Sequence, residues 1–289
     1  MAIGGKCNVC LRGCEIPEGG VGFCGARTNV DGRITAFNYG MVSSLALDPI
    51  EKKPLNRFFP GSHILSVGSF GCNLRCPFCQ NSGISWSKEA FSAMEDPEVV
   101  SPEELVEIAE RCRERGNIGV AFTYNEPLVG YEFVRDTAKL IHERGMKNVL
   151  VSNGTASREV LSEILPYIDA MNIDLKGFTD GYYEKVLGGN RKMVMEFIEG
   201  AVKSCHVELT TLIIPGENDS ESEMEEMTSW ISELKDSDGK RIGEEVPLHI
   251  SRFFPKFHMT DRPATDVGLI YRLADVARRR LKYVYTGNC

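Results

Sequence analysis

The sequence predicts an α/β fold: an open, partial (β/α)6 barrel of the TIM type, preceded by a cysteine-rich N-terminal module. From residue 64 onward, short apolar runs alternate six times with amphipathic stretches, which is typical of parallel strands joined by helices. The first 60 residues are instead rich in glycine and cysteine and lack helical periodicity. Six units are fewer than the eight that close a TIM barrel. The predicted domains are therefore the module, 1–60, and the barrel, 61–289.

The helices of the predicted barrel have recognisable ends. Ser101 is a good N-cap and Pro102 suits the first helical position, so a helix begins there and closes near Gly116. Gly145 ends the next helix. Strands are predicted at 64–67, 118–123, 147–151, 170–175, 207–214 and 246–250, with short strands around 33–38 and a last strand within 283–289. The other helices are predicted at 131–144, 158–165, 193–204, 221–234 and 265–281.

Composition narrows the class of protein. The 289 residues are 42% apolar and 26% charged, which suits a soluble globular chain with one large domain and a small appendage. A net charge of −8 argues against a nucleic-acid backbone as the main partner, because binding by counterion release needs a basic face. No apolar run approaches the roughly 20 residues that span a bilayer, and residues 1–7 lack the apolar core of a signal peptide. We therefore predict a cytoplasmic protein without a membrane partner.

Ten cysteines are the most unusual feature of the composition. In a reducing compartment, clustered cysteines are typical of metal ligands, whereas disulfides are typical of secreted chains. Cys112 and Cys205 lie alone and are expected to be core or surface positions. The other seven, apart from Cys289, form two sets, with the spacings C-x2-C-x3-C-x9-C and C-x3-C-x2-C: Cys7, Cys10, Cys14 and Cys24, and Cys72, Cys76 and Cys79.

The second set follows the first predicted strand directly. Three thiolates on one loop can converge on one metal centre, but a [4Fe–4S] cluster has four irons and is normally held by four cysteines. With three ligands, one iron is left open to a small molecule, which makes the cluster catalytic. The alternative is a zinc site or a redox pair, although zinc loops more often contain two C-x2-C pairs.

The stretch from Gly71 to Asn81 resembles the cluster loop of radical S-adenosylmethionine (SAM) enzymes, with Phe78 as the aromatic residue before the third cysteine. The first cysteine set and the stretch LDPIEKKPL at 47–55 are similar to those of the AmmeMemoRadiSam-system radical SAM proteins, and this resemblance covers essentially the whole chain. These proteins are related to the pyruvate formate-lyase activating enzymes. The resemblance implies that the open iron binds the amino and carboxylate groups of SAM. It also implies that one electron cleaves SAM to methionine and a 5′-deoxyadenosyl radical.

The end of the second predicted strand carries Tyr124, Asn125, Glu126 and Pro127. In the resembling family a Gly-Gly-Glu-Pro motif at this place binds the amino group of SAM. The glutamate and proline match, and the two glycines do not. The resemblance therefore implies that Asn125 and Glu126 contact SAM, with a charge-assisted hydrogen bond at Glu126. The alternative is that Glu126 only caps the following helix.

Two further strand ends carry candidate residues. Ser152 and Asn153 resemble the Thr-Asn of a Thr-Asn-Gly turn in activating enzymes, and a simple helix-entry turn is the alternative. Asp174 and Lys176 alternate along a strand and so point the same way. Such charges are costly inside a barrel unless they are paired or bind a ligand. The resemblance implies that they lie beside SAM, and that Asp174 can help to hold a monovalent cation; a structural salt bridge is the alternative.

Near the C-terminus the resemblance is less regular. The stretch before His258 is similar to the Leu-Leu-Pro-Tyr-His of activating enzymes, whose histidine contacts SAM, but it is offset by one residue, so Phe257 or His258 can take that place. Cys289 is either a free terminal thiol or the first ligand of a site that relatives continue. The remaining histidines are expected to be structural: His63, His142, His206 and His249.

The first cysteine set suits zinc or a second iron–sulfur cluster equally well by ligand type, and unligated thiols are the alternative. Taken together, the residues and the resemblance predict a radical SAM enzyme that abstracts hydrogen, most concretely from a glycine of a partner enzyme, with an electron donor such as flavodoxin or ferredoxin. Radical modification of another protein or of a small molecule is the rival within enzymes. An iron–sulfur electron carrier is the rival outside them, but a carrier has no use for Glu126, Asp174 and Lys176.

Overall fold

An eight-stranded sheet forms the frame of the protein, whose structure is a computed structural model that describes residues 4–289. Its strands are β1 Ser44–Pro49, β2 His63–Gly68, β3 Asn117–Thr123, β4 Lys147–Ser152, β5 Ala170–Asp174, β6 His206–Ile213, β7 Leu248–Arg252 and β8 Val284–Gly287. Strands that are neighbours in this order are also neighbours in space. The pairs from β2 to β8 are parallel, and β1 is antiparallel to β2.

One α-helix of seven or more residues joins each pair of neighbouring parallel strands, and shorter helical turns accompany it between β2 and β3 and between β5 and β6. The first begins as predicted: Ser101 and Glu104 form a reciprocal capping box, and Pro102 occupies the first helical position. It ends at Arg111 and continues as one 3-10 turn up to Gly116, which has a φ of +82°. The helices are α1 Pro102–Arg111, α2 Tyr131–Glu143, α3 Arg158–Ile164, α4 Arg191–Ala201, α5 Glu221–Ser232 and α6 Val267–Arg278.

The prediction of a partial α/β barrel is confirmed, since six strand and helix units follow one another and do not close. Their ends differ from the predicted ends by a few residues, as fraying helix termini commonly do. Strand β1 was not predicted, because Ser44–Pro49 is half-buried except for the buried Asp48 and shows no clear alternation. It pairs with the barrel although it precedes residue 60, and the division of domains at that residue stays a prediction.

The segment before β1 consists of short antiparallel pairs that pack on the barrel. Arg27 is buried, and its guanidinium binds the carboxylate of Glu132 on α2 at 2.6 Å. This ion pair ties the leader to the outside of the barrel. The paired strands are Gly5–Lys6 with Glu15–Ile16, Arg27–Val30 with Arg33–Ala36, and Met41–Val42 with Glu98–Val99.

The chain between β1 and β2 closes the end of the barrel at which the parallel strands begin. Ile50 and Leu55 are fully buried there, in one apolar cluster with Ile64, Val149 and Ala170. These three residues stand near the starts of β2, β4 and β5. The closed end is therefore filled with side chains, and the opposite end remains for ligands.

Glu208 on β6 fastens this closing segment to the sheet. It accepts hydrogen bonds from the backbone N–H groups of Asn56 at 3.0 Å and Arg57 at 2.7 Å. Burial alone would raise the pKa of Glu208, but the hydrogen bonds of His206 at 2.9 Å and His249 at 2.7 Å outweigh it, together with those two amides, and the pKa falls to about 2. The carboxylate is therefore charged at neutral pH. We refer to Ile50, Leu55 and Glu208 as the barrel floor.

Among the helices within 4–289, none combines the length and apolar character needed to cross a bilayer.

Candidate active site

A cavity of about 350 Å³ opens at the carboxyl ends of the parallel strands, where βα folds carry their reacting groups. It collects side chains from strand ends that are far apart in the sequence. Of the residues predicted for the main site, ten line this cavity: Cys72, Cys76, Cys79, Phe78, Asn125, Glu126, Ser152, Asn153, Asp174 and Lys176.

The loop that carries the three cysteines leaves β2 through a tight backbone turn. Gly71 has a φ of +96°, and a Cβ atom there would stand 2.8 Å from the carbonyl oxygen of Cys24. The next amide, that of Cys72, donates a hydrogen bond to the same carbonyl at 3.2 Å. Only glycine therefore fits at this position without a shift of the N-terminal segment.

Burial raises the pKa of the Cys76 thiol to about 11, and that of Cys72 is raised as well. As free thiols both are therefore protonated at neutral pH, and a bound metal would have to displace the protons. Asn153 lies beside this loop: its amide nitrogen stands 3.8 Å from Cys72 Sγ and donates to Asn73 Oδ1 at 2.9 Å. The third strand end is thus in direct contact with the cysteine loop.

The chemistry of the donors fits a cluster with one open iron. No fourth cysteine lines the cavity within residues 4–289. In the same range, no three cysteine, histidine or carboxylate side chains are spaced to share one metal ion. The thiolates of a [4Fe–4S] cluster bind different irons and so stand farther apart than the ligands of a single ion. Three thiols on one loop, facing a cavity with room for a small molecule, are therefore a suitable ligand set for a cluster with one open iron.

Glu126 lies 2% exposed against the ends of β3 and β4. It accepts hydrogen bonds from Ser152 Oγ at 2.8 Å, from the amide of Asn153 at 2.7 Å and from that of Leu128 at 3.1 Å. Burial nevertheless raises its pKa to about 7. The bond to Leu128 caps the short 3-10 helix Pro127–Gly130, so the capping alternative describes a real contact. Capping does not use all of the hydrogen-bonding capacity of Glu126, which also lines the cavity.

Asp174 and Lys176 face the cavity together and form an ion pair of 2.7 Å. Burial alone would lower the pKa of Lys176, but the charge of Asp174 outweighs it and raises the pKa. The expected common direction of the two side chains is thus observed. The ammonium group of Lys176 already pairs with the Asp174 carboxylate, and a monovalent cation at Asp174 stays a prediction.

Comparison with known proteins adds the family. The family model of the radical SAM superfamily matches residues 66–230. An uncharacterized protein of Methanocaldococcus jannaschii is 42% identical over 288 residues, which are 98% of this chain and 81% of that protein. The chain belongs to the radical SAM superfamily. It is therefore an enzyme, and membership implies a [4Fe–4S] cluster and SAM as cofactors.

More distant radical SAM proteins are also similar. The pyruvate formate-lyase-activating enzyme of Clostridium pasteurianum is 26% identical over 184 residues, which are 62% of this chain and 72% of that enzyme. The crystal structure of Streptococcus suis SuiB bound to S-adenosylmethionine has a TM-score of 0.57 and 12% identity, and it covers 75% of this chain and 48% of SuiB. At that identity the likeness concerns the fold alone.

His258 is the one residue predicted for the radical SAM site that the structure does not bring to the cavity. Its side chain is exposed and packs against Phe257 and Trp86, with ring centroids 3.8 Å and 5.8 Å away. Only its backbone N–H reaches the cysteine loop, where it donates to the carbonyl of Pro77 at 2.8 Å. The offset of one residue in the motif therefore turns the imidazole away from the cavity. Phe257 does not line it either.

The first cysteine set is also brought together by the fold. Arg12, which lies within the set, donates from Nε to the carbonyl oxygen of Asn73 at 3.1 Å, so the set stands against the cysteine loop. A small cavity of about 10 Å³ lies between its thiols, which are Cys7, Cys10, Cys14 and Cys24.

Sequence reasoning missed a polar group on the cavity wall. Tyr124 has a φ of +73°, a conformation that glycine adopts easily and tyrosine rarely. This explains why a motif with glycine in other radical SAM enzymes can carry tyrosine here only under strain. The strain is offset by two contacts: Tyr124 donates to Asp48 at 2.8 Å, and Lys53 Nζ lies 4.6 Å from the centre of its ring. Asp48 and Lys53 belong to the 47–55 stretch, which resembles that of the AmmeMemoRadiSam-system proteins but for whose residues the sequence predicts no role.

Proposed function

We propose that this enzyme cleaves SAM reductively and uses the resulting 5′-deoxyadenosyl radical to abstract a hydrogen atom from its substrate. The observation that carries the proposal is the single cavity in which the three-cysteine loop, Glu126 and Asn153 meet. An electron carrier needs no such cavity beside its cluster.

Cys72, Cys76 and Cys79 would hold the cluster, and Glu126 and Asn153 would bind the methionyl part of SAM. When bound, the cluster supplies the electron that cleaves the sulfonium. The role of this chain is to orient SAM and to exclude water. Glu126 is suited to accept a hydrogen bond from an ammonium group, because its carboxylate is buried and therefore poorly screened by solvent.

For the target, the relatives favour a glycine of a partner enzyme, since the similar Clostridium pasteurianum protein is named as an activating enzyme of pyruvate formate-lyase. A flavodoxin or ferredoxin would then supply the electron. Radical modification of another protein or small molecule is the second candidate, which is favoured by a buried cation, Lys53, that lines the cavity.

The proposal is tested with wild-type protein reconstituted anaerobically with iron and sulfide. We expect about four irons from the main site and formation of 5′-deoxyadenosine and methionine from SAM once a reductant is added. Candidate partner enzymes are then added, and formation of a glycyl radical is followed by electron paramagnetic resonance. A reduced, cluster-loaded protein that leaves SAM intact would contradict the proposal and support the electron-carrier alternative.

We further propose that the first cysteine set holds a metal ion that orders the N-terminal module. A leader with short strands buries little apolar area and is typically stabilised by a metal or a disulfide. The structure contains ten free cysteines and no disulfide among residues 4–289. The four thiols line one small cavity of about 10 Å³. Zinc takes four tetrahedral thiolate ligands and is the simpler staple, but no three of the described thiols are spaced to share one ion, so zinc binding would have to draw them together.

Elemental analysis distinguishes the metals. The protein is prepared with Cys72, Cys76 and Cys79 all replaced by alanine, so that only the first set remains as a site. We expect about one zinc per chain and its loss when Cys10→Ala is added, with Cys205→Ala as the matched control. Residual iron and sulfide would indicate an electron relay instead. A metal-free chain that is folded would mean that these four thiols are not a site.

A further inference from the structure

Lys53 is a buried cation on the wall of the active-site cavity. Its side chain is 3% exposed, and the residue lines the cavity together with Lys52 and Tyr124. Within residues 4–289 its ammonium group donates one hydrogen bond, to Asp48 Oδ2 at 3.0 Å, and otherwise faces the ring of Tyr124. An ammonium group has three N–H donors. At least one of them is left for a ligand.

Asp48 already accepts four hydrogen bonds. Its Oδ2 accepts from Lys53, from Tyr124 Oη at 2.8 Å and from Ser66 Oγ at 2.9 Å, and its Oδ1 accepts one from Lys52 at 3.2 Å. A carboxylate offers about four lone pairs. Little acceptor capacity therefore remains at Asp48, whereas Lys53 keeps an unused donor.

The buried charges of this wall are paired, but the hydrogen bonding of the Lys53 ammonium group is incomplete. Lys53 and Asp48 carry opposite charges, and the side chain of Lys52 is 66% exposed, so solvent screens its charge. A buried ammonium group is costly unless its N–H donors are bonded. A molecule in the cavity can supply the missing acceptor, and an anionic acceptor gives the stronger, charge-assisted hydrogen bond.

We propose that Lys53 binds an anionic group of the substrate, a carboxylate or a phosphate, so that this enzyme acts on an acid, which is the second candidate target above, and not on a neutral glycine segment of a partner enzyme. The inference rests on the proposed function, because it assumes that the molecule beside SAM is the substrate. Tyr124 and Asp48 are positioning residues in this arrangement, since they hold the ammonium group from the two sides that the substrate does not occupy.

The test measures thermal stabilisation of the protein by small anions at constant ionic strength, since a ligand that binds only the folded state raises its melting temperature. The probes are succinate and inorganic phosphate, with neutral succinamide and an acetylated, amidated triglycine as controls. We expect saturable stabilisation by at least one anion and none by the neutral probes. Lys53→Met should weaken that binding at least tenfold, whereas Lys53→Arg should retain it. Lys240→Met, at an exposed position that does not line the cavity, should leave it unchanged.

The same titration is repeated with SAM present. If SAM abolishes anion binding that depends on Lys53, the partner of Lys53 is the carboxylate of SAM itself and the proposal is overturned. It is also overturned if no anion stabilises wild type, if neutral probes act equally well, or if Lys53→Met has no effect. The anion that binds more tightly, succinate or phosphate, identifies the group that Lys53 recognises as a carboxylate or a phosphate. Anion binding needs no reduced cluster, so this result and the SAM-cleavage assay of wild type can fail independently.

Discussion

Replacement of Cys76 by alanine is expected to reduce 5′-deoxyadenosine formation to the background of the assay. Cys72, Cys76 and Cys79 are the only thiols that line the cavity within residues 4–289, so a chain with two of them cannot hold the cluster in a defined position. The measurement is the amount of 5′-deoxyadenosine per chain after anaerobic reconstitution and reduction, together with the iron content.

The barrel of the Cys76→Ala protein should remain folded, because Cys76 belongs to a loop and the sheet does not depend on its side chain. Far-ultraviolet circular dichroism checks this point. Cys112→Ala is the matched control, since Cys112 ends helix α1 and lies outside both cysteine sets. Full SAM cleavage by the Cys76→Ala protein would remove these thiols from the proposed site.

Replacement of Glu126 by glutamine is expected to weaken SAM binding roughly tenfold to a hundredfold, because a charge-assisted hydrogen bond contributes about 1.5–3 kcal/mol. The amide has nearly the same shape, and its oxygen can still accept the hydrogen bonds of Ser152 and Leu128, which both reach Oε1, whereas that of Asn153 to Oε2 is lost. The cluster spectrum should not change, since Glu126 is not among the proposed iron ligands. Equal SAM affinity in the two proteins would leave Glu126 with its capping role alone.

The same replacement should stabilise the protein in the absence of SAM. The pKa of Glu126 is raised from 4.5 to about 7 on folding, so its contribution to stability is full below pH 4.5 and is lost as the pH rises through 7. Above that pH the buried charge costs about 3 kcal/mol. Urea unfolding at pH 5 and pH 8 should therefore show a gain for Glu126→Gln at the higher pH and little gain at the lower one. A gain at neither pH would mean that the carboxylate is better compensated than the three hydrogen bonds indicate.

Much of the barrel could be predicted because its signals are local. The apolar run of each strand and the caps of each helix lie within a few residues of one another, and Ser101 shows how one cap determines the start of a helix. The candidate site followed from the same pattern, since the carboxyl ends of parallel strands meet at one edge. Ser152 and Asp174 each come directly after an apolar residue, and Glu126 follows the run that ends at Phe122 by four residues.

What could not be predicted depends on contacts between distant segments. Lys53 acquires its place on the cavity wall only because β1 pairs in antiparallel register with β2, and its own stretch shows no strand pattern. The hydrogen bond between the Cys72 amide and the Cys24 carbonyl joins two motifs that are 48 residues apart, and neither motif contains a signal for it. The side chain of His258 lies away from the cavity for a related reason. A shift of one residue in a loop changes the side of the chain on which the imidazole ring lies.

The barrel floor has a consequence for the lifetime of a carbon radical. Because Ile50, Leu55 and the Glu208 contacts fill the lower end of the lumen, molecules that could quench a radical cannot enter the cavity from that end and must come through the mouth or the unclosed side of the sheet. A substrate bound at that mouth would then block it, and the radical would react with the substrate before any other hydrogen donor from solution. In a protein with a loosened floor, SAM cleavage should therefore be less coupled to substrate conversion, with more than about one 5′-deoxyadenosine formed for each molecule of product.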